Sequence, residues 1–308
     1  MALGYDRRLH IAAFDHRGSF EKQLFGLARA PSPEQTRRIA DAKALIYEGF
    51  LRALDDGVPR TGAGVLVDEQ FGAAVARAAK TAGVVLAMPV EKSGQDEFDF
   101  DHGDDFGAHV EAFDPQFTKV LVRYNPEGDA ALNRRQAERL SRLSDWLHAR
   151  GRKLLFELLV PATPDQLASV GGAAGRYDTE VRPELMLRTL AALQERGVEP
   201  DVWKIEGLDR REDCARIAAR ARAGGRDGVG CVVLGRGADA GQVDAWLRAG
   251  AGVPGYLGFA IGRSIWFDAL RDWLAGTHDR AAAARAIADN YLRFVRVYDS
   301  AAGPAAPA

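Results

Sequence analysis

Only two cysteines, Cys214 and Cys231, occur in the 308 residues. That is too few for a disulfide framework, and their spacing is not that of metal ligands, so a reducing cytosolic setting is expected. Neither sign of charge dominates: 41 Lys and Arg face 43 Asp and Glu, which argues against a nucleic acid or an acidic membrane as partner and leaves small molecules. Long apolar runs are missing, so no bilayer span is expected. The start "MALGYDRRLHIAAF" lacks the basic-then-apolar order of an export signal. The six histidines show no paired ligand spacing, and neither a metal nor a cofactor is expected. No linker, low-complexity tract or short-period repeat interrupts the chain, which implies one domain over residues 1–300 and an Ala/Gly/Pro tail, 301–308, expected to fray.

What is present is an alternation. Eight short β-branched or aliphatic runs recur: Leu9–Phe14, Gly64–Asp68, Val84–Met88, Lys119–Tyr124, Leu154–Val160, Asp201–Glu206, Gly230–Leu234 and Tyr256–Ile261. Between them lie stretches such as "QTRRIADAKALIYEGFLRAL" and "QAERLSRLSDWLHARG", apolar every three to four residues, as amphipathic helices are. Eight β/α units with near-continuously apolar strands predict an α/β fold of the closed (β/α)8 TIM-barrel type, because only strands buried on both faces dispense with polar alternation. An open doubly wound sheet is the competitor, weakened by the lack of a glycine-rich dinucleotide fingerprint after the first strand.

The sixth run, "DVWKIE", carries Lys204 and Glu206 between large apolar residues. Strand side chains alternate, so Val202, Lys204 and Glu206 share one face and Trp203 and Ile205 the other. The larger apolar pair belongs against the helices, which turns Lys204 into the barrel near its C-terminal mouth, where barrel enzymes keep their chemistry. Burial disfavours an ammonium, and a neutral amine can attack a ketone to form a Schiff base. A Lys204–Glu206 ion pair plugging the barrel is the bland alternative. Other strands bring charge to comparable places: Asp15 ends the first, Glu157 interrupts the fifth, and Lys119 and Arg123 share a face of the fourth. Asp15 could instead be a helix N-cap or turn residue before "HRGS", and Lys119 could lie at the exposed foot of its strand.

Runs seven and eight end in "LGRGAD" and "AIGRSIWF", placing Gly235-Arg236 and Gly262-Arg263 just past a strand, the second pair before a helix beginning near Ser264. Barrels often seat phosphate there, since glycine admits the anion to backbone amides, a helix N-terminus is electropositive and arginine adds charge. Taken singly, either arginine reads as well as a surface ion pair. The acidic run "DEFDFDHGDDF" with His102 admits a metal reading, but Asp104 and Asp105 better suit the first turn of a helix. Lys92, in "EKSGQDEF", either meets a substrate anion or sits in solvent.

Seven stretches, "LVDEQFGAAV", "MPVEKSGQDEFDFDHGDDF", "KVLVRYNPEGD", "LLFELLVPATP", "DVWKIEGLDRREDC", "GVGCVVLGRGAD" and "GFAIGRSIWF", closely resemble the aldolase-like domain fused behind a sugar-kinase domain in a bacterial myo-inositol catabolism protein. The likeness runs from about His10 to about Tyr298. It is associated with 5-dehydro-2-deoxyphosphogluconate aldolase, and more distantly it is similar to class I tagatose-bisphosphate aldolases. The resemblance implies a Schiff-base lysine at Lys204, a strand-five glutamate at Glu157, a strand-four lysine at Lys119, a strand-one aspartate at Asp15 and a phosphate-binding Gly-Arg at Gly262 and Arg263. It covers the barrel alone; no stretch resembles the kinase domain.

The expected reaction is metal-independent cleavage of 5-dehydro-2-deoxy-gluconate 6-phosphate to dihydroxyacetone phosphate and malonate semialdehyde. Lys204 is the expected nucleophile and Glu157 the base. Lys119 and Glu206 are expected to stabilise charge and tune the amine, and Asp15 to orient a hydroxyl or assist carbinolamine dehydration. The phosphate would fall to Gly235, Arg236, Gly262 and Arg263, and the carboxylate to Arg123 or Lys92. Rival readings are a class I aldolase for another ketose phosphate, of the tagatose- or fructose-bisphosphate type, a metal-dependent aldolase or isomerase, and a non-catalytic sugar-phosphate-binding barrel. Aldolase barrels being commonly oligomeric, self-association is expected.

Overall fold

The computed structural model describes residues 2–303. Eight parallel strands close into a barrel in chain order: β1 (Leu9–Ala13), β2 (Ala63–Leu66), β3 (Val85–Pro89), β4 (Phe117–Arg123), β5 (Lys153–Leu159), β6 (Val202–Glu206), β7 (Gly230–Leu234) and β8 (Tyr256–Ile261). β1 pairs with β8 through Leu9 opposite Gly258 to Ala12 opposite Ile261, which completes the cylinder. Each run expected from sequence is a strand within two residues of its expected ends, and the open-sheet competitor falls with the closure.

The covering helices are α1 (Gly18–Phe25), α2 (Pro33–Asp55), α3 (Glu69–Thr81), α4 (Phe106–Phe113), α5 (Ala130–Ala149), the short α6 (Pro164–Ser169) and α7 (Ala174–Arg176), then α8 (Arg182–Glu195), α9 (Arg211–Arg222), α10 (Ala240–Gly250), α11 (Arg263–Leu274) and α12 (Arg280–Ala302). Their starts follow capping chemistry. Ser32 and Gln35 form a reciprocal capping box with Pro33 in the first turn of α2, and Asp68, Asp129, Asp239 and Asp279 accept amide hydrogen bonds at the N-termini of α3, α5, α10 and α12. α12 packs on α2, α10 and α11 and runs two residues into the segment expected to fray; residues 304–308 of that segment lie outside the described ones. No helix among the described residues is long and apolar enough to cross a membrane.

Two apolar cores follow from strand parity. Trp203 and Ile205 belong to the large core between sheet and helices. Leu9, Ile11 and Ala13 of β1, Val85 and Ala87 of β3, Phe117 of β4, Leu155 of β5 and Val202 of β6 fill the lower barrel, where Tyr5 packs edge-on against Phe117 with centroids 5.1 Å apart. Two residues further along the same inward rows come Asp15, Lys119, Glu157 and Lys204. The barrel is therefore apolar below and charged above, and the change occurs at its C-terminal mouth.

Candidate active site

β6 directs Lys204 inward, where it is 2% exposed. Its Nζ lies 3.0 Å from Glu157 Oε2, the two residues being register partners across β5 and β6. The same oxygen is 3.0 Å from Lys119 Nζ, so one carboxylate oxygen bridges the two lysine nitrogens. Lys119, also 2% exposed, donates to Asp15 Oδ2 at 2.8 Å and to Glu91 Oε1 at 2.7 Å. It thus lies in the interior rather than at an exposed foot. Asp15 is no helix cap either, since α1 starts from Arg17 without a side-chain cap.

The charges set one another's protonation. Burial opposes the Lys119 ammonium, but Asp15, Glu157 and Glu91 outweigh it and hold the group well above the ordinary lysine range. Burial likewise works to raise Glu157, yet Lys119 and Lys204 prevail and keep it below the ordinary carboxylate range. Asp15 is depressed by the same contest, with Lys119 the main opponent of desolvation. Glu91 goes the other way: burial outweighs Lys119 and Arg17, and its carboxyl is raised. Carboxyls pushed in opposite directions around one cation can divide acid and base roles.

Above this network opens a cavity of about 620 Å³, large enough for a sugar phosphate. Asp15, Lys119, Glu157, Lys204, Glu206, Lys92, Arg123, Arg236, Gly262 and Arg263 all line it. Gly235 does not; it is buried under the loop, and Gly237 takes the lining place expected of it. Gly262 is forced by packing, since a Cβ there would stand 2.7 Å from the Ala13 carbonyl oxygen.

Glu206 has partners other than those expected. Its Oε2 accepts the Val160 amide at 2.9 Å, while Oε1 lies 2.9 Å from Arg236 Nε and 3.4 Å from Arg182 Nη1. It therefore holds Arg236 at the rim and pairs with the buried Arg182, and it makes no ion pair with Lys204, so a Lys204–Glu206 pair is not what fills the barrel. Arg236, in a left-handed backbone conformation, also pairs with Asp178 at 2.9 Å. Arg263 donates to the Arg236 carbonyl at 2.9 Å and has no carboxylate partner among the described residues. Across the mouth, Arg123 donates to the Gln95 carbonyl at 2.8 Å and Lys92 pairs with Asp99 at 3.1 Å.

Glu91, His16, Arg17 and Tyr177 are among the lining residues that the sequence does not single out. Glu91 stands beside Lys92 in "EKSGQDEF", past the end of β3, where strand parity no longer predicts the direction of a side chain. Arg17, buried, donates to Asp101 Oδ2 at 2.6 Å and to the Glu91 carbonyl, which ties the loop after β1 to that after β3. Tyr177 donates to the Val160 carbonyl at 2.8 Å.

A closed (β/α)8 barrel with a buried lysine pair, bridging carboxylates and an arginine-lined mouth defines the class of protein in hand. The chain belongs to the family described as "Uncharacterized protein conserved in bacteria (DUF2090)", whose model matches residues 4–302. No curated protein matches the sequence. Among solved structures, the chain is similar to fructose-bisphosphate aldolase from Plasmodium falciparum, in a ternary co-crystal with TRAP and a small-molecule inhibitor, with a TM-score of 0.66 and 12% identity over 95% of this chain and 91% of that one. It is also similar to a Schiff base forming fructose-1,6-bisphosphate aldolase, with a TM-score of 0.53 and 16% identity over 92% and 93% of the two chains. At these identities the likeness establishes the fold.

Proposed function

We propose that the protein is a Schiff-base, class I aldolase that cleaves 5-dehydro-2-deoxy-gluconate 6-phosphate to dihydroxyacetone phosphate and malonate semialdehyde. The observation that carries this reading is the buried Lys204 amine, 3.0 Å from Glu157, at the floor of a cavity with cationic walls. In the proposed course, unprotonated Lys204 Nζ adds to the carbon-five ketone and water leaves to give an iminium. Glu157 takes the carbon-three hydroxyl proton, the bond between carbons three and four breaks, and its electrons pass into the iminium as an enamine. Malonate semialdehyde departs; protonation at carbon four and hydrolysis then release dihydroxyacetone phosphate and restore the amine.

Lys119, held as an ammonium by three carboxylates, favours the ionised Glu157 that serves as the base. Glu91, the carboxyl with the raised pKa, suits the proton donor for the departing water, and Asp15 orients a hydroxyl. Arg263, with the amides near Gly237 and Gly262, is the proposed phosphate seat, with Arg236 behind it. Arg123 or Lys92, on the opposite wall, would meet the carboxylate.

Borohydride reduction in the presence of dihydroxyacetone phosphate, followed by peptide mass spectrometry, tests the nucleophile. A reduced adduct on Lys204 is expected, and Lys204→Met should fold yet lose turnover by several orders of magnitude. A variant that keeps near-native rates ends the proposal. The likeness to fructose-bisphosphate aldolases favours a second reading, a ketose bisphosphate as substrate; the ratio of kcat/KM for the two substrates decides between them.

A further inference from the structure

A second cluster of chemistry-bearing side chains lies outside the central cavity. Glu69 opens α3, His109 stands on α4, and His102 sits in the turn before it. His109 Nδ1 is 2.8 Å from Glu69 Oε2, and His102 Nε2 is 3.5 Å from the same oxygen. The two imidazoles stack face to face, with centroids 3.4 Å apart and 3° between their planes. All three ligand atoms fall within 4.8 Å of one another, beside a recess of about 20 Å³ walled by Met88, Val90, Phe106 and Phe113. Among the described residues, none of the three side chains has a hydrogen-bonding partner outside the cluster.

We infer that Glu69, His102 and His109 form a zinc site. Two imidazoles laid side by side present ring nitrogens to one carboxylate oxygen, and a cation among those three atoms satisfies them all. In a tetrahedral zinc site with bonds of about 2.0–2.2 Å, neighbouring ligand atoms stand roughly 3.3–3.5 Å apart. The 2.8 and 3.5 Å separations lie close to that edge, and because an imidazole binds a metal in its own plane, the two rings, now 3° from parallel, turn out of their stack to share the ion. Two nitrogens and one oxygen suit zinc better than magnesium or calcium, which favour all-oxygen shells. The histidines are seven residues apart, on either side of the one-turn helix Gly103–Asp105, and Glu69 comes from the preceding β/α unit, which is why spacing along the chain conceals the site.

Glu69, His102 and His109 are absent from the walls of the central cavity. Zinc there is a clamp. It ties the start of α3 to α4 and anchors the far end of the segment that carries Glu91 and Asp101, the partners of Lys119 and Arg17. The inference does not depend on the aldolase reading.

Calorimetric titration of the untagged, chelator-stripped full chain with zinc chloride tests it, with cobalt absorption as the second measurement. One equivalent of zinc should bind and raise the melting temperature, and cobalt should give the intense visible bands of a tetrahedral ion. His102→Ala, on an exposed turn, and His109→Ala should each weaken binding by about a hundredfold or more, with the cobalt bands lost, whereas His278→Ala should match the wild type. Absence of zinc uptake by the wild type, or uptake by either cluster variant with wild-type affinity, overturns the inference. Borohydride trapping on Lys204 should proceed equally with zinc stripped, so the two proposals fail separately.

Discussion

Replacing Lys119 by methionine removes the one cation shared by three buried carboxylates while nearly preserving side-chain volume. Asp15, Glu91 and Glu157 all lie within 3.0 Å of its Nζ; Lys204 remains to compensate Glu157, but Asp15 and Glu91 lose their closest cation. Breaking a buried ion pair from one side costs about 3–5 kcal/mol, so a loss of that size is expected at pH 8. For Asp15 the pH dependence should change sign, whereas Glu91, already raised in the native protein, keeps its sign and gains magnitude. In the native protein the depressed Asp15 and Glu157 contribute stability that is present above their unfolded values and is lost as pH falls through the folded ones. In Lys119→Met, burial acts on Asp15 and Glu91 with less opposition and raises them, so the folded variant retains a proton that the unfolded chain releases. Each such proton makes stability fall by about 1.4 kcal/mol per pH unit as pH rises. Urea unfolding at pH 5 and pH 8 should therefore give a deficit well over twofold larger at pH 8. An equal deficit at both values, or none at pH 8, refutes the electrostatic account of the mouth.

Arg263→Ala should raise KM for the phosphorylated substrate about 10- to 100-fold with kcat little changed, the worth of one charge-assisted contact; steady-state kinetics with an unaltered KM would move the phosphate elsewhere. Gly262→Ala places a Cβ 2.7 Å from the Ala13 carbonyl oxygen and 2.9 Å from His16 Cε1, and denaturant unfolding should register a loss of about 1–3 kcal/mol. If the variant is as stable as the native chain, the close approach of β1 to the loop after β8 is not rigid.

The barrel and the inward lysine were legible in the chain because both rest on local rules. Apolar runs of strand length separated by helical periodicity specify β/α units, and the two-residue period of β6 sends Lys204 and Trp203 to opposite sides whatever surrounds them. Partner choice is another matter. Lys119 and Asp15 are 104 residues apart in sequence and meet because the sheet closes, which no local pattern encodes. Closure also gave Glu206 to Arg236 and Arg182, brought Glu91 into the network from just beyond β3, and put Gly237 where Gly235 was expected, because the backbone turns left-handed at Arg236. The same holds for Glu69, His102 and His109, gathered from neighbouring β/α units. Side-chain direction is a property of a few consecutive residues, whereas the energy of a buried charge depends on every group within a few ångströms, and those neighbours exist only once the cylinder has formed.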